Sequence, residues 1–123
     1  MRVLVYGGRD FTNKRLAFNA LDLLHKEYGF TLVIDGKARG ADTLGFKWAE
    51  DQGLPTERYA ADWNKYQNAA GPIRNQQMID EGKPDIAVAF PGGNGTSDMT
   101  KRLLNAGILV KTIVVTKKHI TGN

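Results

Sequence analysis

Short apolar runs alternate with amphipathic stretches along the whole chain. Four of these runs have the length of buried strands, over residues 3–6, 32–34, 86–90 and 110–115, and the first three contain only apolar residues. A fifth, less regular strand is predicted over residues 55–60. Continuous apolar strands are typical of a parallel sheet that is covered on both faces. The pattern predicts an α/β fold of one domain, an open parallel sheet with helices on both faces.

The amphipathic stretches between these runs predict four helices. The first begins at Thr12 or Asn13, and the second begins at Asp42 or the next residue, so that Asp42 stands where a helix N-cap is expected. Pro72 suits the first turn of the third helix, and the fourth follows the last glycine-rich loop. Residues 61–66 show no clear periodicity and are predicted as a polar, aromatic loop.

Glycine is over-represented, with 14 residues in a chain of 123, against a usual share of ~7%. Seven of them follow three of the predicted strands, namely Gly7, Gly8, Gly36, Gly40, Gly92, Gly93 and Gly95. Ligands of open parallel sheets bind at this edge, beside helix starts whose free N–H groups suit a phosphate. Ordinary turn chemistry would explain any one of these turns, but three together favour an anion pocket.

The strongest single motif is Pro-Gly-Gly-Asn-Gly-Thr at residues 91–96. The motif is predicted to bind a phosphate. The N–H groups of Gly93, Gly95 and Thr96 and the hydroxyl of Thr96 would be the hydrogen-bond donors. The motif is not a dinucleotide fingerprint, because no G-x-G-x-x-G follows the first strand. It is not a P-loop either, because no Gly-Lys-Ser/Thr closes it.

Four cations lie in or beside the predicted pocket, at Arg9, Lys37, Arg39 and Arg74. Together they suit a polyanionic ligand, since arginine grips phosphate through two N–H groups at once. For each of them the alternative is a solvated surface charge.

Several uncharged or acidic side chains have two open interpretations. Asn75 either bonds a base edge or ribose hydroxyl or caps backbone groups, and Asp42 either contacts the ligand or caps its helix. Trp63 and Tyr66 either stack on a base or cover the sheet edge as apolar plugs.

Composition and charge exclude several classes of protein. The absence of cysteine excludes disulfides, thiolate nucleophiles and cysteine-ligated metals. His25 and His119 have no partner at ligand spacing and are predicted to be solvated, so no metal site is expected, although Mg²⁺ accompanying a phosphate stays open. No signal peptide or membrane span is predicted, and a cytoplasmic location is expected. The net charge of +4 is modest and dispersed.

Five segments, residues 7–11, 36–42, 61–63, 70–75 and 91–99, resemble the SLOG superfamily in the same order. That superfamily includes the cytokinin-activating phosphoribohydrolases and the DNA-processing protein DprA. The set is most similar to the YspA-like branch of bacteria and phages. The resemblance implies a Rossmann-like fold and a nucleotide pocket. The nucleotide-binding domain is predicted over residues 1–116, and the polar residues 117–123 are predicted to be a C-terminal tail. The resemblance also implies a homo-oligomer, since related hydrolases dimerise.

The resemblance also bears on catalysis. The phosphoribohydrolases cleave the N-glycosidic bond of nucleoside 5′-monophosphates with an arginine, matched here by Arg74, and a glutamate three residues after the motif threonine. Met99 occupies that glutamate position, and it cannot exchange a proton. Asp98 is adjacent, but one helical step turns a side chain by ~100°. Other loops offer further carboxylates, at Asp10, Asp42 and Asp62.

Three functions therefore compete. The first is binding of a nucleotide or nucleotide-derived phosphate ligand, with a sensing or processing role. The second is nucleoside 5′-monophosphate phosphoribohydrolase activity, with Arg74 as the catalytic residue. The third is single-stranded DNA binding, which the dispersed basic residues support only weakly.

Overall fold

Five parallel strands form one open sheet in the computed structural model of the protein, which describes residues 1–115. Across the sheet the strands run in the order β3-β2-β1-β4-β5, and every neighbouring pair is parallel. In chain order they are β1 (Arg2–Tyr6), β2 (Leu32–Asp35), β3 (Thr56–Arg58), β4 (Ile86–Ala89) and β5 (Leu109–Thr112). The chain extends the sheet first on one side of β1 and then on the other, so β1 and β4 flank its topological switch point.

Five helices accompany the sheet. They are α1 (Lys14–Tyr28), α2 (Ala41–Gln52), α3 (Trp63–Tyr66), α4 (Ala70–Asp80) and α5 (Asn94–Asn105). The three residues between α3 and α4, Gln67–Ala69, form one turn of 3-10 helix. Within residues 1–115, no helix is long and apolar enough to cross a membrane.

Alternate residues of β1 enter two separate hydrophobic cores. Val3 and Val5 pack with side chains of α1 and α2, among them the fully buried Trp48. Leu4 and Tyr6 pack on the opposite face with side chains of α4 and α5. Because both faces of the sheet are covered, its central strands are apolar apart from Arg2 at the start of β1 and Asp35 at the end of β2. The predicted α/β, Rossmann-like sheet with helices on both faces is confirmed.

The predicted start of the second helix is wrong. Helix α2 begins at Ala41 and its N-cap is Gly40, which has φ 79°. This left-handed conformation turns the chain into the helix early, so Asp42 lies within the first turn. Its carboxylate accepts a hydrogen bond from the Gly36 N–H at 2.9 Å. Asp42 therefore fastens the preceding loop and does not cap its own helix.

The predicted loop at residues 61–66 is also wrong. Asp62 caps the short helix α3, its Oδ1 accepting from the Lys65 N–H at 3.1 Å. Helix α4 then begins at Ala70, two residues before Pro72. A helix of four residues is barely longer than one turn of ~3.6 residues, so it shows no periodicity in the sequence.

His25 is half-buried, and the prediction that it is solvated is wrong. Its Nδ1 accepts from the Phe30 N–H at 2.9 Å, and its ring packs edge-on against Trp48, with centroids 5.4 Å apart. The last strand ends at Thr112 and not at residue 115. His119 and the predicted tail at 117–123, with its boundary at residue 116, lie outside the described residues.

Candidate functional site

A cavity of about 610 Å³ lies at the carboxyl ends of β1 and β4, where the sheet order reverses. Its walls come from the loops after β1 and β2, from α3, from the first turn of α2 and from the sides of α4 and α5. The predicted site residues that line it are Gly7, Gly8, Arg9, Asp42, Trp63, Arg74, Asn75, Gly93, Gly95 and Thr96. Those outside its lining are Gly36, Lys37, Arg39, Gly40, Gly92 and Tyr66.

Some glycines outside the lining bring the surrounding loops together. A Cβ on Gly40 would stand 2.3 Å from the carbonyl oxygen of Gly8, and one on Gly92 would stand 2.6 Å from the Gly8 nitrogen. The contact is fastened by the Gly8 N–H, which donates to the Pro91 carbonyl at 2.9 Å, and by the Ala41 N–H, which donates to the Gly8 carbonyl at 3.1 Å. These glycines are explained by packing behind the cavity wall.

Gly93 and Gly95 differ, because packing does not require either of them. Both line the cavity, and a Cβ on either would meet no protein atom within 4 Å. No side chain caps the start of α5, and its first backbone bond runs from the Ser97 N–H to the Gly93 carbonyl at 3.0 Å. Among the described residues, nothing accepts from the N–H groups of Asn94, Gly95 and Thr96. The cavity therefore meets an open helix N-terminus, which favours an anion.

A chain of polar contacts links α4 to the β2 loop on one side and to α5 on the other. Arg74 donates from Nη1 to the Gly36 carbonyl and from Nε to Asn75 Oδ1, the latter at 3.2 Å. Asn75 in turn donates from Nδ2 to Asp98 Oδ2 at 3.0 Å. Arg102 donates from Nε to the same oxygen at 2.8 Å. These bonds fix the side chains of Arg74, Asn75 and Asp98 in the cavity wall.

Asp42 is a buried carboxyl group in this wall, with 5% of its surface exposed. Burial raises its pKa to about 7, and the neighbouring charge of Asp35 adds to the rise. The charge of Arg74 and hydrogen bonds from the backbone at Gly36 and Ala38 act in the opposite direction. A group with a perturbed pKa in a cleft is a candidate for proton transfer.

The pKa of Arg74 is also shifted by its surroundings. Burial lowers its pKa, the charge of Arg9 lowers it further, and the carboxylates of Asp42 and Asp35 oppose the change. Asp35 is fully buried, and burial raises its pKa despite hydrogen bonds from the Lys37 backbone and Arg58.

Arg9 and Trp63 lie together in the cavity lining. The Arg9 guanidinium carbon is 5.5 Å from the centre of the Trp63 ring, and 46% of the tryptophan is exposed. Tyr66 lies on the same short helix but lines a different groove. Arg39 faces solvent, where it pairs with Asp10 at 3.6 Å. The cavity thus contains one exposed aromatic ring with a cation against it.

The glutamate position of the phosphoribohydrolases is apolar here. Met99 is 1% exposed, and its side chain packs with Tyr6 in the second core at the base of the cavity. Of the three alternative carboxylates named from the sequence, Asp42 lines the cavity, whereas Asp10 and Asp62 do not. Asp98 lines it as well, although the helical step from the Met99 position predicts a side chain that points away.

Eight lining residues were not proposed as site residues from the sequence, namely Tyr6, Ala38, Gly71, Pro72, Met78, Asn94, Asp98 and Met99. Asp98 could have been found from its spacing, since it lies one helical turn after Asn94. Within the described part of the chain, no group of three or more His, Cys, Asp or Glu side chains could hold a metal ion.

Comparison with known proteins agrees with the motifs. The sequence model of the YspA, cpYpsA-related SLOG family matches residues 1–66. The chain is 35% identical over 117 residues to the Gene 61 protein of Mycobacterium phage D29, covering 89% of this chain and 93% of that protein. The resemblance drawn from the sequence is confirmed.

Proposed function

Since the chain belongs to the YspA, cpYpsA-related SLOG family, we propose that its cavity binds a nucleotide or a nucleotide-derived phosphate ligand. The observation that carries the proposal is the open N-terminus of α5, where two glycines without a packing role line the cavity. Backbone N–H groups and a helix dipole together form an anion site. Family membership agrees with a nucleotide-related ligand.

The phosphate is assigned to the first turn of α5. There the N–H groups of Asn94, Gly95 and Thr96 are unpaired among the described residues, and the missing side chains of Gly93 and Gly95 leave room for close approach. Arg9 and Arg74 supply positive charge from other walls of the same cavity. This arrangement binds a phosphate through backbone donors and long-range charge.

The base is assigned to the ring of Trp63. An exposed indole that lines a cavity offers a flat apolar surface, and stacking of a base on an aromatic side chain contributes ~1–3 kcal/mol. Arg9 lies against the same ring at 5.5 Å and leaves nearly half of the residue exposed. The apolar floor formed by Met78 and Met99 suits the uncharged part of a ligand.

A Gly95→Ala substitution tests this assignment. Alanine is favoured over glycine inside a helix by ~0.5–1 kcal/mol, so the free energy of unfolding should rise by about that amount. The added methyl group would occupy space left for the phosphate, and we expect nucleotide affinity to fall by ~10-fold or more. Urea unfolding measures the first effect, and calorimetric titration with nucleoside monophosphates, ADP-ribose, NAD and cyclic nucleotides measures the second.

The test is specific because stability is expected to rise while nucleotide affinity falls. A misfolded variant would lose both stability and affinity. Unchanged nucleotide affinity in Gly95→Ala would contradict the assignment of the phosphate to the first turn of α5. Absence of binding across the whole ligand panel would overturn the proposed function. Steeply salt-dependent binding of single-stranded DNA that no mononucleotide displaces would replace it with the nucleic-acid alternative.

One observation favours an enzyme in this cavity, namely the buried carboxyl of Asp42 with its pKa of about 7. A group that titrates near neutral pH serves as a general acid or base. In this alternative, Asp42 is the general acid and base, a role that Met99 cannot fill. Arg74 stabilises the ribosyl phosphate. Water cleaves the bond between C1′ and the base nitrogen, Asp42 gives its proton to the departing base, and the water proton restores the carboxyl group.

The enzyme alternative predicts release of free base and ribose 5-phosphate from at least one nucleoside 5′-monophosphate. Asp42→Asn keeps an acceptor for the Gly36 N–H but cannot transfer a proton, so we expect base release to fall by ~100-fold or more while ligand binding persists. Chromatography of the reaction mixture measures the free base. Saturable binding with no base release from any nucleotide would leave binding as the function.

The remaining expectations stay predictions. A homo-oligomer, a cytoplasmic location and Mg²⁺ accompanying the phosphate rest on the resemblance or on composition. The division into a nucleotide-binding domain at 1–116 and a tail at 117–123 is also a prediction.

A further inference from the structure

The carboxylate of Asp98 has one oxygen held by the protein and one oxygen free. Oδ2 accepts from Asn75 Nδ2 at 3.0 Å and from Arg102 Nε at 2.8 Å. Among residues 1–115, no donor reaches Oδ1. The side chain is half-buried and lines the cavity. Two bonds to a single oxygen hold the carboxylate in one orientation and leave its other oxygen available to a ligand.

Its position on α5 relates Asp98 to the phosphate assigned above. It follows Asn94 by four residues, which corresponds to ~6 Å along the helix axis. Side chains of a helix lean toward its N-terminus, so the carboxylate lies closer to the first turn than its backbone does. A ligand with its phosphate at the first turn therefore has its next chemical unit, the sugar, within reach of this carboxylate.

The charge state of Asp98 decides what it can recognise. Burial by itself would raise its pKa, but the hydrogen bonds from Arg102 and Asn75 outweigh this effect and hold the pKa below its usual range. At neutral pH the group is ionised and only accepts hydrogen bonds. Such a carboxylate repels an anionic ligand unless the ligand brings a donor, and the donors nearest to a nucleotide phosphate are the sugar hydroxyls.

We propose that Asp98 Oδ1 accepts a hydrogen bond from a ribose hydroxyl and makes the cavity selective for ribonucleotides over 2′-deoxyribonucleotides. This inference rests on the proposed function, because it needs a nucleotide in the cavity. It gives a role in sugar recognition to a residue that the proposed function leaves unassigned. Arg102 and Asn75 act as positioning residues for the carboxylate.

The test compares AMP, GMP, CMP and UMP with their 2′-deoxy counterparts by calorimetric titration of the full chain. A hydrogen bond to a charged group contributes ~1.5–3 kcal/mol, and each 1.4 kcal/mol is a factor of ten. We therefore expect the ribonucleotide to bind ~10- to 100-fold more tightly than the deoxy form. In Asp98→Ala this ratio should fall to about one.

Two control variants separate sugar recognition from support of the fold. Asp51→Ala removes an exposed carboxylate of α2 that lies outside the cavity lining, so it should keep the wild-type ratio. Arg102→Met removes the hydrogen bond that orients the Asp98 carboxylate. It should lower the ratio of ribonucleotide to deoxyribonucleotide affinity although Asp98 is still present. The ratio of affinities is the readout, because a general loss of stability lowers both affinities alike.

The outcomes are distinguishable from those that test the proposed function. Equal affinity of the wild-type protein for ribo- and deoxyribonucleotides overturns the role of Asp98 and leaves nucleotide binding intact. An unchanged preference in Asp98→Ala overturns it as well. Binding of neither form overturns the proposed function, and this inference falls with it.

Discussion

Replacing Gly40 by alanine is expected to lower the free energy of unfolding by ~3 kcal/mol or more and to abolish nucleotide binding. Gly40 has φ 79° and ψ −128°, a conformation that is almost confined to glycine. An added Cβ would also lie 2.3 Å from the Gly8 carbonyl oxygen and 2.5 Å from that of Arg9. Both contacts are with backbone, so relief requires the first loop to move away from α2. Urea unfolding and calorimetric titration measure the two effects.

Gly53, at the other end of the same helix, provides the matched control. It too has a positive φ, 72°, but an added Cβ would meet nothing within 4 Å. Gly53→Ala should therefore cost only the ~1–2 kcal/mol of a left-handed residue and should leave nucleotide affinity unchanged. Equal stability losses in the two variants would mean that the contact between Gly40 and the first loop contributes nothing. Wild-type affinity in Gly40→Ala would mean that this contact does not shape the cavity.

The second large effect concerns pH, and it comes from Asp42. Its pKa is about 7 in the folded protein, against an ordinary value of 3.8. Between these values the folded state holds a proton that the unfolded state has lost, so stability falls as the pH rises. The contribution is complete below about pH 4 and is lost as the pH passes through about 7. A difference of about three pKa units corresponds to on the order of 4 kcal/mol.

Asp42→Asn isolates this contribution, because asparagine retains an acceptor for the Gly36 N–H but does not titrate. The free energy of unfolding, measured with urea at about pH 5 and about pH 8, should change less in the variant than in the wild type. Asp35 adds a change of the same sign, since burial raises its pKa too. It is present in both proteins, so the difference between them reports what Asp42 contributes, including its repulsion with Asp35. An identical pH dependence in both proteins would contradict the raised pKa of Asp42.

The sequence was most informative where local pattern and burial agree. The apolar runs identified the strands because a strand covered on both faces needs apolar residues throughout. The cap at Asn13 and the stop at Gly29 were evident because helix ends have their own residue preferences. Pattern failed at α3, which is too short to show a period. It also failed at Asp42, because a glycine with positive φ started that helix early.

The sequence by itself determined the fold class, the family and the edge of the sheet at which the glycines gather. These features depend on residue type and spacing, which are local properties. Only the tertiary structure divided the glycines into those that join loops, such as Gly40 and Gly92, and those that face open space, Gly93 and Gly95. It likewise brought Asp98 into the cavity beside Asn75. Burial, hydrogen bonds and pKa values arise between segments that are distant in the chain, so no local pattern encodes them.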